Sequence, residues 1–417
     1  MHTGQILPYT ILVWRPAVKG YRFLKLKQKK MGVNAGMGLG RESFDKKVKK
    51  DEFAAQQIIR RKIMIEISLC MIVRNEENVL GRCLQCAQSF ADEIIVVDTG
   101  STDGTKTIAE NFTKKVFDFP WTDDFAAARN YSFSKATRDY IMWLDADDVV
   151  RPEDQEKILQ LKKDLDPSVD VVMMKYLAGF DELGNPTFVY DRERLLRRAA
   201  QPVWEGAIHE VITPFGNILK TDIAVCHKKI KPGDPDRNLR IFEKMIKDGK
   251  TLSPREKFYY GRELMYHGRY DEASHIFRDF LEEGQGWIEN KIEACLNLAC
   301  CLDALGKKDS ALQSLFSSFH YAAPRAEICC EIGRILLSRE QYSLAIFWYE
   351  QALRCRPEEN QGFLKQDCYR FIPYMQLCVC YDRMGDTARA KEYNEKAGAL
   401  KPQHPAYLYN VRYFSSR

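Results

Sequence analysis

The sequence predicts an α/β domain with a mixed, mainly parallel sheet, followed by an all-α domain of paired helical repeats. Three observations predict it. Between residues 64 and 228, apolar runs of strand length end in polar tips and alternate with helical segments, the order of parallel strands joined by crossover helices. One of those runs stops at a cluster of aspartates, where open α/β sheets place their ligands. From residue 255 the pattern changes to amphipathic helix pairs with small residues at recurring positions.

The first strand is Ile67-Ser-Leu-Cys-Met-Ile-Val73, which ends in Arg74-Asn75-Glu76-Glu77. The second is Glu93-Ile-Ile-Val-Val-Asp98, followed by Thr99-Gly-Ser-Thr-Asp-Gly-Thr105. That loop is rich in turn and N-cap residues, Ser101 and Asp103 among them, and predicts a helix over 106–111. The third is Tyr140-Ile-Met-Trp-Leu-Asp-Ala-Asp-Asp148, with β-branched and aromatic bulk before its acids. Pro152-Glu153-Asp154 opens a further helix. Three polar tips on one sheet edge make a nucleotide pocket. Neither a GxGxxG fingerprint after the first strand nor a GxxxxGK[ST] loop occurs, which argues against a dinucleotide fold and a P-loop NTPase.

After His227 the composition shifts. Residues 229–254 mix Lys, Pro, Gly and Asp around one short helix expected over 236–246, and read as a linker. In 255–417, Ala273, Ala311, Ala345 and Ala390 lie 38, 34 and 45 residues apart. With Pro357 and Pro402 closing two units, this is a tetratricopeptide-like period. Such repeats bury a continuous core when stacked and offer a concave surface to a partner. The alternative is that they brace the first domain or form a homodimer.

Composition bounds the reading. The chain has 417 residues, 45% apolar and 29% charged, which suits two globular domains. No apolar run approaches the roughly 20 residues that span a bilayer. The formal charge is +5, but residues 1–63 hold 15 Lys and Arg against 4 Asp and Glu, leaving 48 against 54 for residues 64–417. The remainder is mildly acidic, with no nucleic-acid footprint. The basic leader, residues 1–63, is expected to be disordered or not native. Met64 begins the first strand directly, and Arg60-Arg61 is the dipeptide that a purine-rich bacterial ribosome-binding site spells when translated in frame. The alternative is a basic arm that touches anionic membrane or substrate. Many of the 13 cysteines fall on apolar faces and fit a reducing cytoplasm. Peripheral attachment to the inner face of the membrane stays open. Cys83 and Cys86 form a CxxC with no second pair at zinc spacing, so a core role is expected.

Asp145, Asp147 and Asp148 sit together at a strand end. Crowded carboxylates repel unless a cation lies between them, and hard oxygen ligands suit Mg²⁺ or Mn²⁺, which bridge to substrate phosphates. The competing reading is an acidic loop that caps the next helix.

Four motifs carry a family resemblance: Cys70-Met-Ile-Val-Arg-Asn-Glu-Glu77, Val96-Val-Asp-Thr-Gly-Ser-Thr-Asp-Gly-Thr105, Asp124-Phe-Ala-Ala-Ala-Arg-Asn130 and Asp145-Ala-Asp-Asp148. In this order they resemble a family 2 glycosyltransferase of the GT-A fold, over about residues 64–227. Trp204-Glu-Gly-Ala-Ile-His-Glu210 and Ala224-Val-Cys-His227 are similar to members with a helical-repeat tail, including transferases that modify a peptide cysteine. The resemblance implies that Asp147 touches a divalent cation, while Asp145 faces the ribose and the same metal. It implies that Asn75, Glu76 and Asp98, with the loop of Ser101 and Asp103, hold base and ribose. Thr99 stands where many members carry a second Asp, which puts that base contact in doubt. Arg129 is expected to reach the acidic tip or the diphosphate, or else to form a structural ion pair. His227 is a further metal ligand or an ordinary buried histidine. Trp204 offers a face to a sugar or peptide, or packs in the core. Transfer in the family inverts the anomeric centre, so the acceptor needs a base, with Glu210 as first candidate and His209 as second.

Three functions fit. The first is metal-dependent transfer of a hexose, for example from UDP-glucose, to a peptide or protein recruited by the repeats. The second is the same transfer to a cell-envelope glycan or lipid-linked sugar. The third is a non-enzymatic scaffold with a vestigial first domain.

Overall fold

The computed structural model describes residues 64–180, 184, 186–230, 234–357, 362 and 364–416. The expected leader, residues 1–63, lies outside the described residues.

Eight strands form one mixed sheet: β1 (Ile67–Val73), β2 (Glu93–Asp98), β3 (Val116–Asp118), β4 (Tyr140–Trp143), β5 (Asp148–Val149), β6 (Val171–Phe180), β7 (Pro186–Arg197) and β8 (Ile218–His227). Their spatial order is β3-β2-β1-β4-β7-β6-β8-β5. The first four are parallel, β7 runs antiparallel to β4 and β6, and β6 is parallel to β8. Because the chain builds outward from β1 through β2 to β3 and then returns to the other side of β1, the strand order reverses between β1 and β4. The crevice beyond the carboxyl ends of such a pair is where α/β sheets bind ligands.

Side chains alternate across the two faces with the strand period of two. Leu69, Met71, Val96, Met142 and Leu144 pack with Leu80, Leu84 and Ala87 of the helix Leu80–Ala87. Cys70, Ile95, Val97, Ile141 and Trp143 face the other way, against Ala126 and Phe133 of the helix Phe125–Ser134 and against Trp204. Burial on both faces explains why β1 and β2 read as unbroken apolar runs.

Beyond β8, the helix Arg237–Lys247 buries Leu239, Phe242 and Met245 in the same core as the repeats, together with Ala207 and Ile208 of the α/β domain. The repeats pair Pro254–Tyr266 with Tyr270–Glu282, Ile288–Ala304 with Lys308–Ser317, Ala326–Leu337 with Tyr342–Arg354, and Phe371–Arg383 with Thr387–Leu400. A last helix, Pro405–Ser415, follows. Ala273, Ala311, Ala345 and Ala390 are each fully buried at the helix crossings. Close approach also demands glycine at Gly333, where a Cβ would come within 2.8 Å of the Tyr349 ring.

Each helix pair turns on a residue in the left-handed region: Gly268, Gly306, Glu340 and Gly385. The residue after it donates its N–H five residues back along the helix end, as in Arg269 to Leu264 and Gln341 to Leu336, the hydrogen bond of a Schellman cap. Glu340, at φ 58°, is the one side chain of the four that carries a Cβ in this conformation. Glu340→Gly is therefore expected to stabilise the chain by about 0.5–1 kcal/mol, the left-handed cost less glycine's extra chain entropy. A rise in the thermal unfolding midpoint checks it, and an unchanged or lower midpoint counts against it.

Candidate functional site

The acidic tip begins where β4 ends at Trp143. Asp148 then enters the two-residue strand β5, which pairs antiparallel with the end of β8 and sets Asp148 opposite His227. The Lys228 N–H donates to the Asp147 carbonyl at 2.9 Å. This pairing brings His227, almost 80 residues downstream, against the tip. One ligand atom from each of Asp147, Asp148 and His227 lies within 4.8 Å of the others. His227 Nδ1 is 3.3 Å from Asp147 Oδ1 and 3.7 Å from Asp148 Oδ1. It is nevertheless buried and makes no hydrogen bond of proper geometry. The carboxylates of Asp147 and then Asp148 push the imidazole up to about 10. An orphaned ring nitrogen facing two carboxylates fits the donor set of a divalent cation.

The three acids have different surroundings. Asp148 is fully buried and saturated. It accepts from Tyr176 Oη at 2.9 Å, from Arg194 Nη1 at 3.0 Å and from the Asp145 N–H at 3.0 Å. Asp147 is partly exposed. Asp145, assigned in sequence to both ribose and metal, accepts from Arg129 Nη2 at 2.8 Å. It stands outside the cluster formed by the other two acids and His227. Burial alone would raise the Asp145 carboxyl, but Arg129 and Arg194 outweigh it and hold the group at about 2.

Arg129 joins two parts of the site. Its Nε donates to Glu210 Oε1 at 2.7 Å while Nη2 serves Asp145. Its guanidinium carbon lies 5.0 Å from the Trp143 ring centre and 4.8 Å from that of Trp204. Trp204 is only 2% exposed and packs edge-on against Trp143 at 4.9 Å. It packs in the core against Trp143 and holds Arg129. His209, at φ 52°, points away from the acidic tip. It stacks on Tyr259 at 4.0 Å, and Nε2 lies 3.1 Å from Glu263 Oε1. The two base candidates therefore face in different directions, and Glu210 is the one beside the tip.

At the far side of the crevice, Asp98 Oδ1 accepts the N–H groups of Gly100 and Ser101 at 2.9 and 2.8 Å. Its Oδ2 is buried without a partner, which suits a donor N–H from a nucleotide base. Asn75 and Glu76 are laced to the loop after β2. The Asn75 N–H donates to Ser101 Oγ at 2.9 Å, its Oδ1 accepts from the Thr102 N–H at 2.7 Å, and the Glu76 N–H donates to Thr105 Oγ1 at 2.7 Å. Asp103 accepts from the Glu77 and Thr105 N–H groups. Ser101 and Asp103 thus shape the loop that frames the pocket. The Thr99 hydroxyl is buried and donates to the Val73 carbonyl at 3.1 Å, facing β1.

Sequence reasoning missed Arg192 and Arg194, which share a face of β7. Arg194 is fully buried, 3.7 Å from the Trp143 ring centre and 4.5 Å from that of Tyr176. Arg192 lies 4.8 Å from the same Trp143 ring. Their i, i+2 spacing in a strand next to β4 was the available signal. The CxxC thiols also brace the tip: Cys83 Sγ donates to the Asp145 carbonyl at 3.4 Å, and the Val150 N–H donates to Cys86 Sγ at 3.5 Å. All 13 cysteines are free thiols. Among the described residues no helix is long and apolar enough to cross a membrane.

Comparison with known proteins agrees with this geometry. Residues 68–223 match glycosyl transferase family 2, and residues 326–359 match the tetratricopeptide repeat. A TPR repeat-containing protein of Synechococcus elongatus is 49% identical over 85 residues, 20% of this chain and 21% of the relative. The SPbeta prophage-derived glycosyltransferase SunS of Bacillus subtilis is 27% identical over 226 residues, 50% of this chain and 51% of the relative. The lipopolysaccharide core biosynthesis glycosyltransferase LpsC of Rhizobium meliloti is 28% identical over 164 residues, 37% of this chain and 59% of the relative. The chain thus spans from about a fifth to under two thirds of the length of these relatives. Residues 68–223 are thus matched as a glycosyl transferase family 2 domain, with a tetratricopeptide-repeat region behind it.

Proposed function

We propose that the chain is an inverting, divalent-metal-dependent transferase that moves a hexose from a nucleotide sugar, a UDP-sugar, to a peptide or protein side chain. We divide it into a catalytic domain over 64–228, a helical connector over 229–254 and a repeat domain over 255–417. The observation that carries the reading is the cluster of Asp147, Asp148 and His227 at the strand-order reversal, across the crevice from the unpartnered Asp98 oxygen. Asp147 and His227 would hold Mg²⁺ or Mn²⁺, and Asp148 orders them from behind. Bound there, the cation neutralises the charge that develops on the departing diphosphate. Asp98 accepts from the base, with Asn75 and Glu76 holding the loop that faces the ribose. Glu210 takes the proton of the acceptor as its nucleophile displaces the diphosphate in one step. Arg129 fixes Glu210 and Asp145 in one plane of hydrogen bonds.

A cavity of about 510 Å³ supports a peptide acceptor. Ala127, Asn130, Trp204 and Gly206 line it from the catalytic domain, and Lys250 and Glu256 from the connector and first repeat helix. An acceptor there touches both domains, which suits an extended chain more than a single sugar. Ala127→Trp fills part of this space from a half-exposed position. It is expected to raise the acceptor KM about tenfold or more, the effect of losing a well-packed contact, with donor hydrolysis unchanged. Equal peptide KM in variant and parent removes the cavity from acceptor binding.

A cell-envelope glycan acceptor is the second reading, favoured by the relative named for lipopolysaccharide core biosynthesis. A non-enzymatic scaffold finds no support in the complete acidic cluster. The deciding experiment incubates the full chain with a panel of sugar nucleotides and Mn²⁺ or Mg²⁺. Nucleotide release is followed, then mass spectrometry of candidate peptides and glycans. Absence of release from every donor with either metal overturns the reading.

A further inference from the structure

We infer that the first repeat helix is part of the catalytic apparatus, because Tyr259 and Glu263 act as positioning residues for Glu210 through its neighbour His209. The inference rests on the assignment of Glu210 as the base. It adds that the repeats hold that base in place, whatever else they bind.

The contacts form an unbroken series. Glu263, on the helix Pro254–Tyr266, is only 7% exposed. Its Oε1 lies 3.1 Å from His209 Nε2 and accepts from Asn238 Nδ2 at 3.0 Å. Burial alone would raise the Glu263 carboxyl, yet the His209 and Asn238 contacts keep it lowered and charged. Tyr259, one helical turn before Glu263, stacks on the His209 ring with the two planes 15° apart. Arg255, a further turn back, donates from Nε to the His209 carbonyl at 3.1 Å. Three side chains on one face of this helix therefore grip the ring and the backbone of one residue. The next residue is Glu210, which holds Arg129, which holds Asp145.

The loop needs this grip. Gly206 and His209 both have positive φ, at 92° and 52°. For His209 the left-handed conformation costs about 1–2 kcal/mol, so it persists where surrounding contacts impose it. The loop's own backbone pairing is a single bridge, Glu205 to Val211. Ala207 and Ile208, between them, are buried in the repeat-side core. A loop with its apolar residues, ring and carbonyl fixed by the repeat helix has its Glu210 carboxylate placed by that helix too. Small misplacement of a catalytic group lowers rate steeply, so the effect belongs in kcat.

The test uses the full chain with Mn²⁺ and the best donor from the panel. In Glu263→Ala and Tyr259→Leu, kcat for transfer is expected to fall about 10- to 100-fold, with donor KM and thermal midpoint little changed. Glu263→Gln, which keeps the hydrogen-bonding shape, is expected to recover most of the rate. Adding Glu263→Ala to Glu210→Gln should lower kcat no further than Glu210→Gln alone. Hydrogen exchange reads the positioning separately: amides of residues 204–211 exchange faster in Glu263→Ala, while those of β1 and β2 do not. Unchanged exchange in that loop, or equal loss of kcat and of donor affinity, overturns the positioning role. Normal turnover in Glu210→Gln overturns the base assignment instead, so the two failures are told apart.

Discussion

Asp147→Asn is expected to reduce metal-dependent transfer on the order of 10³-fold or more, the scale seen when a principal electrostatic stabiliser of a transition state is removed. Asp147 is the partly exposed acid of the cluster, 3.3 Å from His227 Nδ1, so its carboxylate is free to turn toward a cation and a diphosphate. Asparagine keeps the shape and removes the charge. Isothermal titration with Mn²⁺ and a UDP-sugar should show the loss in metal binding, and the rate should not return at higher donor concentration. His227→Ala removes one candidate ligand and is expected to weaken Mn²⁺ with a smaller rate effect. Asp145→Asn should behave differently from both. Its carboxylate pairs with Arg129, so its loss disturbs Arg129 and Glu210 more than the metal. An Asp147→Asn protein with parental Mn²⁺ dependence and rate would sink the assignment of this cluster.

Much of the frame was legible in the chain. The runs at Ile67–Val73 and Glu93–Asp98 are buried on both faces, so their composition alone marks interior strands. The aspartates after Trp143 were legible because an apolar run cannot end in three acids without a ligand or a cap to receive them. The alanines of the repeats were legible because helices can cross closely only over small side chains. What stayed hidden depends on pairings with no local signal. Strand β5 has two residues, too few for any period, yet it sets Asp148 against His227. Arg194 is one charge among four in Asp191-Arg-Glu-Arg194, and the i, i+2 spacing with Arg192 does not show that it lies fully buried beneath the tip. His209 and Glu210 are adjacent in sequence, and either side chain can take a proton. A positive φ at His209 sends one to the repeats and leaves the other at Arg129. Trp204 was left open between platform and core, and it packs edge-on against Trp143 while also lining the neighbouring cavity.

Arg194→Met should cost about 3–5 kcal/mol of stability, the usual penalty for removing one partner of a buried ion pair. Both side chains of the Arg194–Asp148 pair are wholly excluded from solvent. The guanidinium also donates to the Trp143 carbonyl at 3.1 Å, so the substitution strands a carboxylate and a carbonyl together. Arg194 Nε and Nη2 have no hydrogen-bond partner, yet the plane lies over Trp143 and close to Tyr176. Contact with aromatic faces offsets part of that desolvation. Lysine cannot replace it, since an ammonium has no plane to stack and no fork to serve both acceptors. Arg194→Lys is therefore expected to lie nearer to Arg194→Met than to the parent. Asp148→Asn added to Arg194→Met removes the stranded charge and should recover part of the stability, a non-additivity that a double-mutant cycle measures. Denaturant midpoints of the full chain give the energies, and Mn²⁺ titration of the folded variants gives the consequence for the site. Asp148 fixes the Asp145 N–H at one oxygen and Tyr176 at the other. A variant that stays folded but lets Asp148 move should lose Mn²⁺ affinity about 10- to 100-fold, as loss of a group that orients metal ligands does. If Arg194→Met kept both its midpoint and its Mn²⁺ affinity, the buried pair would have no part in holding the acidic tip.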